Sequence, residues 1–219
     1  MIMSGIHNLT LFIVSGLLLN MAPGPDSLLI MTRSATQGWR AGSAAALGIG
    51  SGTLVHTCAA ALGLSALLAT SATAFTAVKW LGAIYLLYVG VGLLRSQKKE
   101  PEETGARQAQ PLSGQSLPYR KIFLQGLLTN ILNPKVAVFF LAFVPQFIAP
   151  DAPNKALAFA LLGGIFVVSG LLWCNFLSVS TALASNRIKI NATLSSWLNR
   201  LIGGLFISFG IRLALAKQN

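Results

Sequence analysis

Hydrophobic residues in this chain form long continuous runs that are separated by short polar segments. Six of these runs contain about 20 residues or more, and they lie at about 7–32, 41–69, 73–94, 121–149, 155–184 and 194–215. A helix of about 20 mostly apolar residues crosses a hydrocarbon core of roughly 30 Å. The runs lack the alternation of apolar and polar residues that marks a membrane β-barrel, and a helix satisfies its own backbone hydrogen bonds in lipid. The pattern therefore predicts an all-α integral membrane protein with about six transmembrane helices.

One polar segment is much longer than the others and divides the chain into two halves. It covers about 96–120 and is rich in Lys, Glu, Gln, Pro, Ser and Gly, a composition that is typical of linkers. The halves cover about 6–95 and 121–215, and each contains three predicted helices. Because all six helices share one bilayer, we predict a single membrane domain over residues 1–219.

The two halves resemble each other in sequence. The stretch GLLLNMAPGP begins at Gly16 and the stretch GLLTNILNPK begins at Gly126, so that they align at an offset of 110. In the last helix of each half, at an offset of 121, Lys79, Gly82, Tyr85 and Tyr88 align with Arg200, Gly203, Phe206 and Phe209. Three helices are an odd number, so the second half enters the membrane from the opposite side, as in many secondary transporters. Short similarities also arise by composition in apolar helices, so the 3+3 inverted repeat is a hypothesis at this point.

The matched stretch of each half runs into a helix breaker at membrane depth. The first half has Pro23, Gly24 and Pro25, and the second has Asn133 followed by Pro134. Proline removes a backbone donor and collides with the preceding turn, while glycine admits conformations that other residues avoid. A single proline would indicate no more than a kink, but paired breaks in two halves are typical of a binding site at the bilayer midplane. We therefore predict that the first helix of each half is broken and that its freed backbone groups serve a ligand.

Composition and charge agree with lipid as the solvent. Hydrophobic residues make up 54% of the chain and charged residues 10%, so polar surface is too scarce for a water-soluble globule. The net charge of +11 does not indicate nucleic-acid binding, because no basic cluster alternates with exposed aromatic residues. Eleven basic residues, among them Arg33 in the loop after the first run, fall on the side of the linker, and four fall on the other side. The positive-inside rule then predicts a cytoplasmic linker and external termini.

Two charged residues lie within the predicted helices beside the breaks. Asp26 is the one acid predicted inside a span, since the three glutamates lie in the linker and Asp151 lies in an outer loop. Lys135 aligns with Pro25, one position from Asp26. A charge at the centre of a membrane costs about 3 kcal/mol or more, so such residues indicate function by default, with a structural ion pair or a snorkelling lysine as the alternative. We predict that Asp26 carries a coupling proton or receives a substrate ammonium group, and that Lys135 tunes Asp26 or meets a substrate carboxylate.

Uncharged polar residues at the same depth complete the candidate site. They supply amide groups or a side chain that titrates near neutral pH, and they are Asn20, Asn130, Asn133 and His56. Taken alone, each of them is more often a hydrogen-bonding contact between helices. Tyr85 and Gln146 are weaker candidates.

No metal ion, cofactor or disulfide bond is expected. Cys58 and Cys174 each lie in an apolar run, without CxxC spacing and without a nearby pair of histidines. Both cysteines are therefore interpreted as packing residues.

A larger set of residues carries a resemblance to a known family. In chain order they are Ala22-Pro23-Gly24-Pro25-Asp26, then Arg33, Gly38, Gly42 and Gly48, then Lys79-Trp80-Leu81-Gly82-Ala83 with Tyr85-Leu86, and finally Gln125-Gly126, Asn130 and Asn133-Pro134-Lys135. In these motifs the chain resembles the LysE/RhtB family of bacterial amino-acid exporters, from about Gly16 to Leu213. The resemblance implies efflux of an amino acid or a derivative across the bacterial inner membrane, driven by the proton motive force. Members of similar pattern are linked to homoserine, threonine, leucine and other neutral substrates as well as to basic ones, so the motifs leave the substrate open.

Two other classes of protein compete with a transporter. A membrane-embedded enzyme acting on lipid or phosphate usually needs clustered acids, histidines or arginines at a membrane boundary, and this chain has one predicted span acid. A structural subunit of a larger complex would have no evident use for paired breaks and buried charges. We therefore expect a transporter and not an enzyme. Its expected partners are an amino acid, protons and the lipid bilayer, and its oligomeric state, a homo-oligomer included, stays open.

Overall fold

The computed structural model describes residues 5–64 and 116–183, together with isolated positions in two further segments. Those positions are 80, 83, 84, 87, 88, 91, 94, 200, 204, 207, 208, 211 and 215, and each of them is helical. They fall in the third and sixth predicted helices. The other residues of those two helices, Tyr85 included, lie outside the described residues, as does the linker up to residue 115.

Helices make up most of the two described ranges. They are α1 (Leu9–Met21), α2 (Pro25–Gln37), α3 (Trp39–Ala59), α4 (Tyr119–Ile131), α5 (Pro134–Val138) and α6 (Lys155–Leu183). A π-helical turn, Ala60–Leu64, continues α3, and α5 is continued by a π-helical segment, Phe139–Phe143, and a 3-10 turn, Val144–Phe147. The described residues contain no strand beyond one antiparallel bridge between Ile6 and Ile148. The prediction of an all-α protein is confirmed for this part of the chain.

Two helices are long and apolar enough to cross a membrane by themselves, Trp39–Gly63 and Lys155–Leu183. They correspond to the predicted runs 41–69 and 155–184. The other two described runs are bent pairs, because α1 and α2 meet at 53° and α4 meets the segment Pro134–Phe147 at 49°. The described residues therefore hold two spans, or up to four if each bent pair crosses the bilayer as one broken span. With either count, the chain is a multi-pass membrane protein.

Both bends fall at the helix breakers, and both are built in the same way. Helix α1 ends at Met21, and α2 begins at Pro25, which occupies the first helical position. Proline is tolerated there because the N–H that it lacks would have no partner within the helix. Helix α5 likewise begins at Pro134, and the side chain of Asn133 caps it by accepting a hydrogen bond from the backbone N–H of Lys135 at 3.0 Å.

Helix α3 packs closely on α4 along a seam of small residues. A Cβ atom added to Gly48 would collide with the backbone oxygen of Phe123, and Gly126 of α4 makes an equally close contact with α3. A Cβ atom at Gly52 would lie 2.8 Å from the Cβ atom of Asn130. Glycines permit this approach of backbones between membrane helices. The seam holds the end of α4, and with it the second break, against α3.

Phenylalanine side chains fill the space between α1, the segment after α5 and α6. The buried phenylalanines of this cluster are Phe12, Phe139, Phe140, Phe143, Phe147, Phe159 and Phe166. The rings of Phe139 and Phe166 stack with their centroids 4.3 Å apart. Stacked and edge-on aromatic pairs add to the area that these side chains bury. The cluster thereby packs two parts of the chain against α6: α1, which precedes the first break, and the segment after α5, which follows the second break.

Helix α2 extends beyond residue 32, where the first predicted apolar run ends. It continues to Gln37 and is followed by Gly38, whose φ of +82° favours glycine. Arg33 therefore lies within α2, where its guanidinium donates a hydrogen bond to Oε1 of Gln125 at 2.9 Å. The loop position predicted for Arg33 is wrong, because α2 continues past the end of the apolar run and stops at Gly38.

Candidate functional site

The carboxylate of Asp26 lies in the first turn of α2 and is held by residues of the second break. Its Oδ2 accepts hydrogen bonds from the side-chain amides of Asn130, at 2.9 Å, and Asn133, at 3.2 Å. Asn130 is near the end of α4, and Asn133 directly precedes α5. Hydrogen bonds to an ionised acceptor are stronger than neutral ones, and the amino end of α2 also favours negative charge. The acid of the first break is thus bound across the two halves.

The side-chain amide of Asn133 makes two hydrogen bonds, one through its oxygen and one through its nitrogen. Its Oδ1 caps α5, and its Nδ2 donates to Asp26. The side chain is 2% exposed, so it is shielded from exchange with other partners. Because one planar amide serves both contacts, the position of Asp26 is coupled to the start of α5.

The ammonium group of Lys135 makes the reciprocal contact with the first break. Its Nζ donates hydrogen bonds to the backbone oxygens of Leu19, at 3.3 Å, and Ala22, at 3.2 Å. These carbonyls lie at the end of α1, where backbone oxygens carry partial negative charge, and the oxygen of Leu19 also accepts the backbone N–H of Ala22 at 3.2 Å. A Cβ atom added to Gly24 would lie 3.4 Å from Nζ, at ordinary contact distance, so this part of the first break lies close to the lysine. The cation of the second break is thus bound by the first.

Asp26 and Lys135 do not form an ion pair within 4.0 Å. The Oδ1 atom of Asp26 is buried and has no hydrogen-bond partner among the described residues. An ammonium group has three N–H donors, and Lys135 uses two of them on the described carbonyls. One acceptor and one donor therefore remain without a partner among the described residues.

A cavity of about 30 Å³ lies beside the two breaks and is bordered by both charged residues. Its other polar lining residues include Asn20, Thr53 and Asn130. Its apolar lining residues include Ile49, Phe166, Val167 and Leu171. At about 10–15 Å³ for each water molecule, the space holds about two waters. A small organic zwitterion is larger than that, so the site must widen to admit one.

Asn130 joins the carboxylate to α3. Its Oδ1 accepts a hydrogen bond from Thr53 at 3.2 Å, and its backbone oxygen lies 3.2 Å from Nε2 of His56. The imidazole also stacks on Phe140 with a centroid distance of 6.1 Å. His56 and Asn133 contact the residues of the site without lining the cavity. We therefore place His56 beside the site as a partner of Asn130.

Asn20 lies on the opposite side of the break from Asp26 and faces α6. Its Nδ2 donates to Ser169 at 3.3 Å, and a Cβ atom at Gly170 would lie 3.3 Å from its Oδ1. Asn20 and Gly170 both line the cavity. The predicted residue is therefore at the site, and its side-chain amide hydrogen-bonds to α6 and not to Asp26.

The remaining predicted residues are placed less close to the cavity. Gln146 donates to the backbone oxygen of Ala142 within its own helical segment, at 2.9 Å, and does not line the cavity. Tyr85 lies outside the described residues. Cys174 is buried and lines the cavity. Cys58 is exposed, so the interpretation of Cys58 as a packing residue is wrong.

Thr53 is a residue of the site that the sequence analysis missed. It is 5% exposed, and its hydroxyl contacts both Asn130 and the backbone oxygen of Ile49. A signal was present, because Thr53 lies three residues before His56, and residues three apart share a helix face. In an apolar run, however, threonine is also a common packing residue, so the signal is weak without the fold.

Comparison with known proteins decides the family. The family model described as LysE type translocator matches residues 17–217. The chain belongs to this family. Members of the LysE family are transporters, so the expectation of a transporter rather than an enzyme is confirmed.

Relatives of this LysE family chain cover almost its full length. The chain is 30% identical to a leucine efflux protein of Salmonella typhimurium, over 98% of each chain. It is 33% identical to an uncharacterized membrane protein of Pseudomonas aeruginosa, over 97% of each chain. It is 31% identical to an uncharacterized membrane protein of Bacillus subtilis, over 96% of this chain and 100% of that one. No solved structure matches the chain.

Proposed function

We propose that this LysE family chain exports a neutral, aliphatic amino acid across the bacterial inner membrane, in exchange for protons, and that it binds the amino acid at the two breaks. The observation that carries the proposal is the pair of free groups at the cavity. Oδ1 of Asp26 lacks a partner among the described residues, and Lys135, which borders the same cavity, has an N–H to spare. These groups complement the ammonium and carboxylate groups that all amino acids share.

The geometry supports one orientation of the substrate. Its ammonium group binds Oδ1 of Asp26, and its carboxylate binds the third N–H of Lys135. The amides of Asn130 and Asn133 keep Oδ2 occupied, so they aim the free oxygen at the ligand. Preorganised partners of this kind reduce the entropy that binding costs.

The lining of the cavity favours an apolar side chain over a basic one. Among the described lining residues, Asp26 is the one acid, and the substrate ammonium group uses it. A lysine or arginine substrate would bring a second cation, which would lack a counter-charge there. Ile49, Val167 and Leu171 offer aliphatic surface instead. The leucine efflux protein of Salmonella typhimurium, 30% identical to this chain, supports the same substrate class.

Competition for Asp26 provides the coupling. One free carboxylate oxygen binds either a proton or a substrate ammonium group, but not both at once. A site that releases the amino acid outside and returns with a proton exchanges one for the other. The proton motive force then drives export, as the family resemblance implies.

The narrow cavity supports alternating access by the two halves. We propose that the halves form a 3+3 inverted repeat, with a cytoplasmic linker and external termini. The bends of 53° and 49° at corresponding positions support this arrangement. Movement of one half against the other would widen the cavity toward each side in turn.

Transport by purified protein in proteoliposomes tests the proposal. Leucine, threonine, homoserine, lysine and arginine should be offered with and without an imposed proton gradient. We expect counterflow of leucine or another neutral amino acid, weak competition by lysine and arginine, and accumulation that depends on the gradient. Transport of basic amino acids alone would contradict the substrate assignment, and indifference to the gradient would contradict the coupling.

A further inference from the structure

The carboxyl end of α1 holds a cation without a neighbouring acid in direct contact. The ammonium group of Lys135 binds the backbone oxygens of Leu19 and Ala22, and no carboxylate oxygen of Asp26 lies within 4.0 Å of it. The lysine belongs to the second half, whereas the carbonyls belong to the first. The contact therefore joins the ends of two broken helices through one charge.

Backbone oxygens at the carboxyl end of a broken helix are good ligands for small cations. They carry the partial negative charge of the helix, and carbonyl oxygens are the ligand type that alkali and alkaline-earth cations prefer. In transporters with broken helices, such ends coordinate the coupling sodium ion. Here a lysine side chain occupies the place of the ion.

We propose that the carbonyls of Leu19 and Ala22 form a monovalent-cation site that the ammonium group of Lys135 fills, as a cation tethered to the protein. A Cβ atom added to Gly24 would lie 3.4 Å from Nζ, at ordinary contact distance, so the first break also packs against the tethered cation. A tethered cation does not dissociate. The wild-type site therefore takes no sodium or potassium ion, and removal of the lysine side chain opens it to one.

Thermal unfolding in different salts tests the site without reference to any substrate. Wild-type protein, Lys135→Ala and Lys135→Met should be compared in sodium, potassium and choline chloride at equal ionic strength. Alanine leaves space for an ion, whereas methionine removes the charge and keeps most of the volume. Lys121→Ala is the matched control, because Lys121 is exposed at the start of α4.

We expect Lys135→Ala alone to show a saturable rise in Tm of roughly 2–4 °C or more in sodium or potassium relative to choline. The wild type, Lys135→Met and Lys121→Ala should show equal Tm values in the three salts. Equal Tm values for Lys135→Ala as well would overturn the proposal. A rise shared by Lys121→Ala would also overturn it, because the effect would then be general to the salt.

A transport measurement on the wild type tests whether Lys135 fills the cation site, even if Lys135→Ala does not fold. Counterflow should be unchanged when choline replaces sodium and potassium on both sides of the vesicle. A requirement for either ion would overturn the proposal, since the site would then need a cation besides the lysine. This arm rests on the proposed function, whereas the thermal arm does not. Failure of amino-acid transport therefore leaves the thermal result to decide the cation site.

Discussion

At the scale of residues, the site divides two charges between two helix breaks and keeps them apart. Each hydrogen bond to a charged group contributes about 1.5–3 kcal/mol, and Asp26 and Lys135 each accept or donate two of them. In a direct buried ion pair, Asp26 and Lys135 would bind each other. The free energy that desolvation costs often cancels the attraction within such a pair. The observed arrangement stabilises both charges and still leaves Oδ1 of Asp26 without a described partner. Such an arrangement suits binding better than a closed ion pair does.

Replacement of Asn133 by Ala should impair transport more than stability. The variant loses the cap of α5, which costs about 1 kcal/mol, and it also loses one of the two donors to Asp26. Asn154→Ala is the matched control, because Asn154 caps α6 through the backbone N–H of Leu157 at 2.9 Å and has no contact with the site. We expect Asn133→Ala to lower Tm more than Asn154→Ala does, because it also removes a hydrogen bond to Asp26, and we expect a loss of leucine counterflow of about tenfold for Asn133→Ala alone. Equal transport by both variants would show that Asn133 is no more than a cap.

At the scale of helices, the sequence predicts the breaks better than the contacts between them. Proline and glycine at residues 23–25 and 134 predict where the helices stop, since backbone chemistry acts locally. The offset between the halves also brings Lys135 into register with Pro25, beside Asp26. It does not predict that Lys135 binds the end of α1, because that contact depends on how the halves pack. The end of α2 is missed for a different reason, since residues 33–37 are mostly polar and the apolar run therefore stops before the helix does.

Healing either break should abolish export while leaving membrane insertion intact. Each proline in a helix interior disfavours helix continuation by about 3 kcal/mol, so alanine at residues 23–25, or at residues 133 and 134, favours a straight helix. A straight helix moves Asp26 away from Asn130 and Asn133. Pro145→Ala is the control, since Pro145 lies in the 3-10 turn after α5 and does not line the cavity. Counterflow by either healed variant at the level of the control would show that the breaks are kinks without a role in binding.

At the scale of the whole molecule, the hydrophobic pattern predicts the fold class, and the family comparison confirms the class of function. The runs at 41–69 and 155–184 correspond to single long helices, because twenty or more apolar residues leave few alternatives. Whether each bent pair crosses the bilayer depends on its depth, which sequence composition does not specify. The cavity was not predictable either, since α3 and α6 contribute its walls through Thr53, whose sequence signal is weak, and Leu171, which resembles any other leucine of an apolar run.

Fusion reporters test the proposed orientation. Eleven basic residues were assigned to the linker side, and a bacterial inner membrane retains such segments in the cytoplasm. A reporter fused after Ser96 should be cytoplasmic, and one fused at Asn219 should be external. Reversed signals at both sites would contradict the charge argument. Cytoplasmic signals at both sites would indicate that one of the bent pairs is re-entrant.

The most direct test of the site is leucine transport by Asp26→Asn, which keeps the shape of the side chain and removes its charge. Exposed Asp151 provides the control variant, Asp151→Asn, because it lies in a turn before α6. In proteoliposomes, we predict that Asp26→Asn loses both counterflow and gradient-driven accumulation by about tenfold or more, whereas Asp151→Asn retains both. If Asp26→Asn loses accumulation but keeps normal counterflow, Asp26 does not bind the substrate ammonium group. Proton coupling would then be its one role. Normal driven transport by Asp26→Asn at several pH values would contradict both roles and, with them, the proposed site.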